Sequence, residues 1–84
     1  MIQILKFSAT WCGPCKALAK QLEGVDLPII HYDVDSDEAE SFIEKYNIRN
    51  VPVLVFTDDS GNELKRIVGF VNKQKVIDTY NELQ

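Results

Sequence analysis

The sequence predicts an α/β fold, a four-stranded mixed sheet flanked by three helices in the order β-α-β-α-β-β-α. Three observations lead there. The apolar run Ile2 to Ser8, a helix-like stretch and a second apolar run, Pro28 to Val34, fit within about thirty residues. That is the pattern of a parallel βαβ unit with a right-handed crossover. Two further runs, Val51 to Thr57 and Glu63 to Val68, flank the turn cluster Asp58-Asp59-Ser60-Gly61-Asn62, the signature of an antiparallel hairpin. The last residues carry apolar positions at helical spacing.

Each element has a local cause. The density of apolar residues in Ile2 to Ser8 suits a strand buried on both faces. Helix 1 is expected from Gly13 or Pro14 to Glu23. Pro14 fits a first helical turn, where its missing N–H costs nothing. Cys15, Leu18 and Leu22 share one face, and Gly24 is a stop. Helix 2 is expected to be capped by Asp35 with Glu38, or by Ser36, with Asp37, Glu38 and Glu40 at its positive end. Ala39, Phe42, Ile43 and Tyr46 form its buried stripe. Asn72 caps a final helix whose face carries Val76, Ile77, Tyr80 and Leu83.

At 84 residues the chain makes one domain, 1–84, with a modest core. A hydrophobic content of 45% places it among globular chains rather than disordered ones. The net charge of −4 argues against a general nucleic-acid binder, which needs a basic stripe to neutralise phosphates. No apolar run approaches the ~20 residues of a membrane span. The N-terminus has no basic n-region or small-residue cleavage site, so a cytoplasmic protein is expected. In that compartment structural disulfides are rare, and a CxxC is catalytic or metal-binding. A lone CxxC with one histidine does not complete a four-ligand zinc site, so no metal is expected. Asp58-Asp59 and the acidic start of helix 2 read as solvated turn and cap residues.

The chemistry lies in Trp11-Cys12-Gly13-Pro14-Cys15-Lys16, which holds both cysteines of the chain where a strand gives way to a helix. Disulfide exchange needs a thiolate. A helix N-terminus supplies unpaired N–H groups and the positive end of the dipole. Cys12 sits at that end and is assigned as the attacking thiol. Cys15, one turn further in, is the resolving thiol. Gly13 and Pro14 set the bend that keeps the sulfurs bridgeable.

At this point the chain resembles the thioredoxin family. Ala9-Thr10-Trp11-Cys12-Gly13-Pro14-Cys15-Lys16 matches that family's active-site signature residue for residue. Tyr46-Asn47-Ile48-Arg49-Asn50-Val51-Pro52 is similar to its segment ending in a cis-proline, and Val68-Gly69-Phe70 to its later glycine site. The resemblance spans essentially the whole chain, minus the family's usual N-terminal strand and helix, and implies a minimal thioredoxin-like fold. It implies a protein-disulfide reductase without a bound cofactor, recycled by a thioredoxin reductase, with protein disulfides as substrates and ribonucleotide reductase among the clients. A monomer is expected. By the same resemblance Trp11, Val51, Pro52 and Gly69 form a substrate-docking surface. Pro52 sits beside the sulfurs, helps keep metal off them and leaves Val51 main-chain groups free for a substrate strand. Without the resemblance, Trp11 could be core, Pro52 a strand-starting proline and Gly69 a strand-end glycine.

Two positions depart from the family. Lys6 stands where it usually has a buried acid, and His31 where it often has a lysine. A third change, Lys20 in place of a helix-kinking proline, lies along helix 1. Lys6 is read either as a cation beneath the active site that stabilises thiolate, or as a side chain that reaches solvent or pairs with Asp33 or Asp35. His31 is either a proton shuttle or an ordinary strand residue. Two rival functions stand beside the reductase. One is a glutathione-linked, glutaredoxin-like enzyme, disfavoured by the Gly-Pro pair between the cysteines. The other is an accessory binding module in which the thiols are incidental.

Overall fold

The first strand, β1 (Gln3–Ser8), is covered on both faces: Ile4, Leu5, Lys6 and Phe7 are all buried in the computed structural model, which describes residues 1–84. Two-faced burial puts β1 inside the sheet. After it come α1 (Gly13–Leu22), β2 (Ile29–Asp33), a 3₁₀ turn (Asp37–Ala39) running into α2 (Glu40–Tyr46), β3 (Val53–Thr57), β4 (Glu63–Val68) and α3 (Lys73–Leu83). The sheet order is β2-β1-β3-β4. β1 runs parallel to β2 and antiparallel to β3, and β3 and β4 form the antiparallel hairpin.

The alternation of β1 and β3 sorts the core into two halves. Ile2, Ile4, Leu54 and Phe56 pack with Leu18 and Leu22 of α1 and with Val76 and Tyr80 of α3. On the opposite face Leu5, Phe7, Val53 and Val55 pack with Tyr46, with Phe42 and Ile43 of α2 against them. Phe7 stacks on Tyr32 at 5.5 Å between ring centroids. Each fully buried side chain of this size stabilises by about 1.5–3 kcal/mol. α3 begins as expected, with the Asn72 side chain accepting from the Lys75 N–H at 3.0 Å. α1 ends before Gly24, which adopts φ +76°.

Three local expectations need correction. The capping box at helix 2 does not form. The Asp35 carboxylate accepts a hydrogen bond from the Trp11 indole instead, and the Ser36 hydroxyl turns back to the Asp33 carbonyl. With no side-chain cap, the first turn tightens to 3₁₀ geometry. The third strand starts at Val53, not Val51, because the cis Val51–Pro52 bond turns the chain just before it. Along α3, Thr79 is fully buried while Ile77 is only partly so; the Thr79 hydroxyl donates to the Lys75 carbonyl, which makes that burial tolerable.

Candidate active site

The β1–α1 junction places the cysteines. Cys12 is the N-cap of α1, with extended backbone, and its Sγ accepts the Cys15 N–H at 3.2 Å. A sulfur thus takes the place of the usual capping oxygen, on one of the helix's unpaired donors. Pro14 lies in the first turn, as its fixed φ favours. Cys12 and Cys15 are joined as a disulfide, with Cα atoms 5.2 Å apart. Their exposures, 6% and 3%, are too alike to separate their roles. The cap position does separate them.

On one side the pair faces the segment before β3. Cys12 Sγ is 3.8 Å from the Val51 carbonyl oxygen. Neither the N–H nor the C=O of Val51 takes part in a backbone hydrogen bond. The Pro52 carbonyl accepts the Gly69 N–H at 2.8 Å, which brings Gly69 to the same edge. Gly69 adopts φ +89°, and a Cβ built there would meet nothing within 4 Å. The Val51–Pro52 bond is cis, as the resemblance implied. Trp11 is 68% exposed, so it belongs to the surface rather than the core, and its indole N–H donates to Asp35 at 2.9 Å.

Between Trp11 and Val51 lies a groove of about 340 Å³, walled also by Val34, Ile43, Ile48, Arg49 and Asn50. Sequence reading did not find those five walls. For Ile48, Arg49 and Asn50 the signal was Asn47. It ends α2 in the left-handed region at φ 52°, and the Ile48 N–H returns to the Ile43 carbonyl. That reversal carries residues 48–51 back beside Trp11.

The other side of the pair holds a smaller cavity of about 180 Å³, bordered by Lys6, Ser8, Thr10, Cys15, Lys16 and Asp33 among others. Lys6 is 5% exposed and forms no ion pair, so the expected partnership with Asp33 or Asp35 is absent. Burial lowers the Lys6 amine from its ordinary value near 10.5. His31 is its register partner on β2 and does not border this cavity. Burial first, and then the Lys6 charge, lower His31 from 6.5, so its imidazole is neutral at neutral pH. The structure thus joins Trp11, Cys12, Cys15, Val51, Pro52 and Gly69 at one edge, sets Lys6 beneath Cys15, and leaves His31 apart.

Comparison with known proteins agrees with this arrangement. The family described as Thioredoxin matches residues 1–82. Thioredoxin-1 of Caenorhabditis elegans is 42% identical over 83 residues, covering 92% of this chain and 71% of that one. The thioredoxin of Chlamydia trachomatis is 35% identical over 77 residues, covering 88% and 74%. Among solved structures, Fasciola hepatica thioredoxin superposes with a TM-score of 0.82 at 30% identity, over 99% of this chain and 81% of its own. No helix of the chain is long and apolar enough to cross a membrane.

Proposed function

Because this chain belongs to the thioredoxin family, and is therefore a thiol–disulfide oxidoreductase, we propose that Cys12 opens the exchange and Cys15 closes it. The Cys12 thiolate attacks one sulfur of a partner's disulfide. That S–S bond breaks, and Cys12 is left in a mixed disulfide with the partner. The Cys15 thiolate then attacks Cys12 Sγ. The Cys12–Cys15 bond forms, and the partner's second thiol departs with the electron pair and takes a proton from solvent. The observation that carries this order is the N-cap position of Cys12, where the Cys15 N–H stabilises charge on Cys12 Sγ. Gly13 and Pro14 form the first turn of α1 between the two cysteines and keep the sulfurs within bonding reach.

The family implies a thioredoxin reductase as electron donor and protein disulfides as substrates. The glutathione-linked and accessory-module readings are not favoured by these relatives. We further assign Trp11, Val51, Pro52 and Gly69 to substrate docking. The unpaired main-chain groups of Val51 fit an extended substrate segment added alongside. The apolar groove beside Trp11 fits a side chain flanking the substrate's disulfide. Ribonucleotide reductase is a client whose catalytic disulfide this chemistry would reduce, and a monomer in the cytoplasm is the setting that keeps such a dithiol cycling. His31 is assigned a supporting place beside Lys6, not a proton shuttle, because it does not reach the cysteine cavity.

The test uses single cysteine variants with a protein disulfide as substrate. Cys12→Ser abolishes reduction, and Cys15→Ser accumulates a covalent mixed disulfide that a thiol releases. Retained turnover in Cys12→Ser refutes the assignment.

A further inference from the structure

We propose that the Lys6 ammonium, set in the cavity behind the disulfide, holds the resolving Cys15 as a thiolate during the second half of the exchange. This rests on the assignment of Cys15 as the resolving thiol.

Lysine is almost never buried without a partner. Lys6 is buried, sits mid-strand in β1 and makes no ion pair. Its side chain and Cys15 border the same cavity of about 180 Å³. No buried side-chain nitrogen or oxygen lacks a hydrogen-bond partner, so the cavity leaves the amine end in contact with solvent. That contact with solvent favours the charged amine, against the burial that lowers it.

The surrounding charges leave the cavity positive. Lys16 of α1 borders it, adding a second cation. His31 on β2 is neutral at neutral pH. Leu54, the partner from β3, carries no charge. Asp33 is the one anion, and its Oδ1 is occupied by the Asp35 N–H at 2.9 Å. A thiol buried in apolar surroundings resists ionisation, and a cation bordering the same cavity offsets that. The proton of Cys15 passes through the cavity to solvent. The thiolate it leaves attacks Cys12 Sγ, and the electron pair of the broken bond departs with the partner's sulfur.

The experiment titrates Cys15 alone, in the Cys12→Ser background, by the thiolate's ultraviolet absorbance. Lys6→Met, similar in volume but uncharged, is expected to show about tenfold less Cys15 thiolate at a fixed pH below the midpoint. Lys6→Arg is expected to restore most of it. In the dithiol protein, Lys6→Met is expected to slow mixed-disulfide release more steeply as pH falls. It should also make the couple more reducing, since a cation favours the thiolate, reduced side. Superimposable titrations for Lys6 and folded Lys6→Met overturn the proposal. So does an equal shift in Lys6→Met and Lys6→Arg, which would mark packing rather than charge. If Cys15→Ser fails to trap a mixed disulfide, the resolving role itself falls, whatever the Lys6 titration shows.

Discussion

Replacing Gly69 with alanine separates backbone strain from partner docking in one variant. The residue sits at φ +89°, where an L side chain is disfavoured, yet a Cβ there would touch nothing within 4 Å. The stability cost therefore has one source, the left-handed backbone, and amounts to about 1–2 kcal/mol. Unfolding entropy near 2.1 cal/mol/K per residue gives about 0.18 kcal/mol/K for this chain, so Tm should fall by about 6–11 °C. The functional cost has another source. The Cβ would stand free at the edge where Gly69 meets Pro52, where the proposed docking would bring a partner's main chain close. Crowding that contact costs about 1–3 kcal/mol, about 5- to 150-fold in kcat/KM for a protein disulfide. A small aromatic disulfide needs no such approach, and its reduction should fall less than about twofold. Calorimetry of the oxidised protein and parallel kinetics on the two substrates measure both quantities. A Tm within about 2 °C of the parent would show that the strain reasoning is wrong. Equal losses on both substrates would remove Gly69 from the docking surface.

Three further outcomes follow from the same geometry. Leu18→Ala, at a fully buried site joining α1 to the sheet, should cost about 3 kcal/mol, seen as a lower denaturation midpoint at unchanged m; a loss under about 1 kcal/mol would mean that α1 is not anchored there. Asp58 is held below its ordinary 3.8, first by hydrogen bonds from Asn62 and then by those from Ser60 and Gly61. A carboxyl with a depressed folded value contributes stability above its unfolded value and loses it as pH falls through the folded one. The difference in Tm between the parent and Asp58→Ala should therefore hold constant at neutral pH and shrink in acid as pH falls from 3.8 through the lower folded value, and a gap that stays undiminished there contradicts the turn's electrostatics. Trp11→Phe keeps an aromatic platform but loses the indole hydrogen bond to Asp35. Stability should change by less than about 0.5 kcal/mol while kcat/KM on protein disulfides drops about fivefold; unchanged kinetics would make that bond incidental.

How much of this could be read from residues alone depends on whether the signal was local. β4 at Glu63–Val68 and α3 after Asn72 match expectation because turn chemistry and a cap residue set their ends. The two-faced burial of β1 was legible in its unbroken apolar run. The start of α2 was not, because the Asp35 carboxylate had a competitor 24 positions away in sequence, the Trp11 indole. The five extra groove walls were hidden for a similar reason. Ile48, Arg49 and Asn50 come near Trp11 through the chain reversal at Asn47, and Val34 and Ile43 through the packing of β2 and α2. For Lys6 the residue type announced an anomaly, but only the third dimension could choose between solvent, an acidic partner and the cavity behind Cys15.

The two cavities lie on opposite sides of the cysteine pair, and each borrows residues from a different half of the core. The groove uses Ile43 and Ile48, which pack on the α2 face of the sheet. Lys6 shares its strand face with Ile4, whose neighbours belong to α1 and α3. The sheet therefore separates the surface that selects a partner from the charge that sets thiolate energetics. Changes on one side need not propagate to the other, because distant sites without shared partners contribute additively. That separation would let the proposed docking edge, from Trp11 through Val51 and Pro52 to Gly69, coexist with a cation in place of an acid behind Cys15. An acid in that cavity resists formation of a second negative charge, whereas a cation favours it. If Lys6 acts as proposed, the same exchange reaction runs on a couple shifted in the oxidising direction.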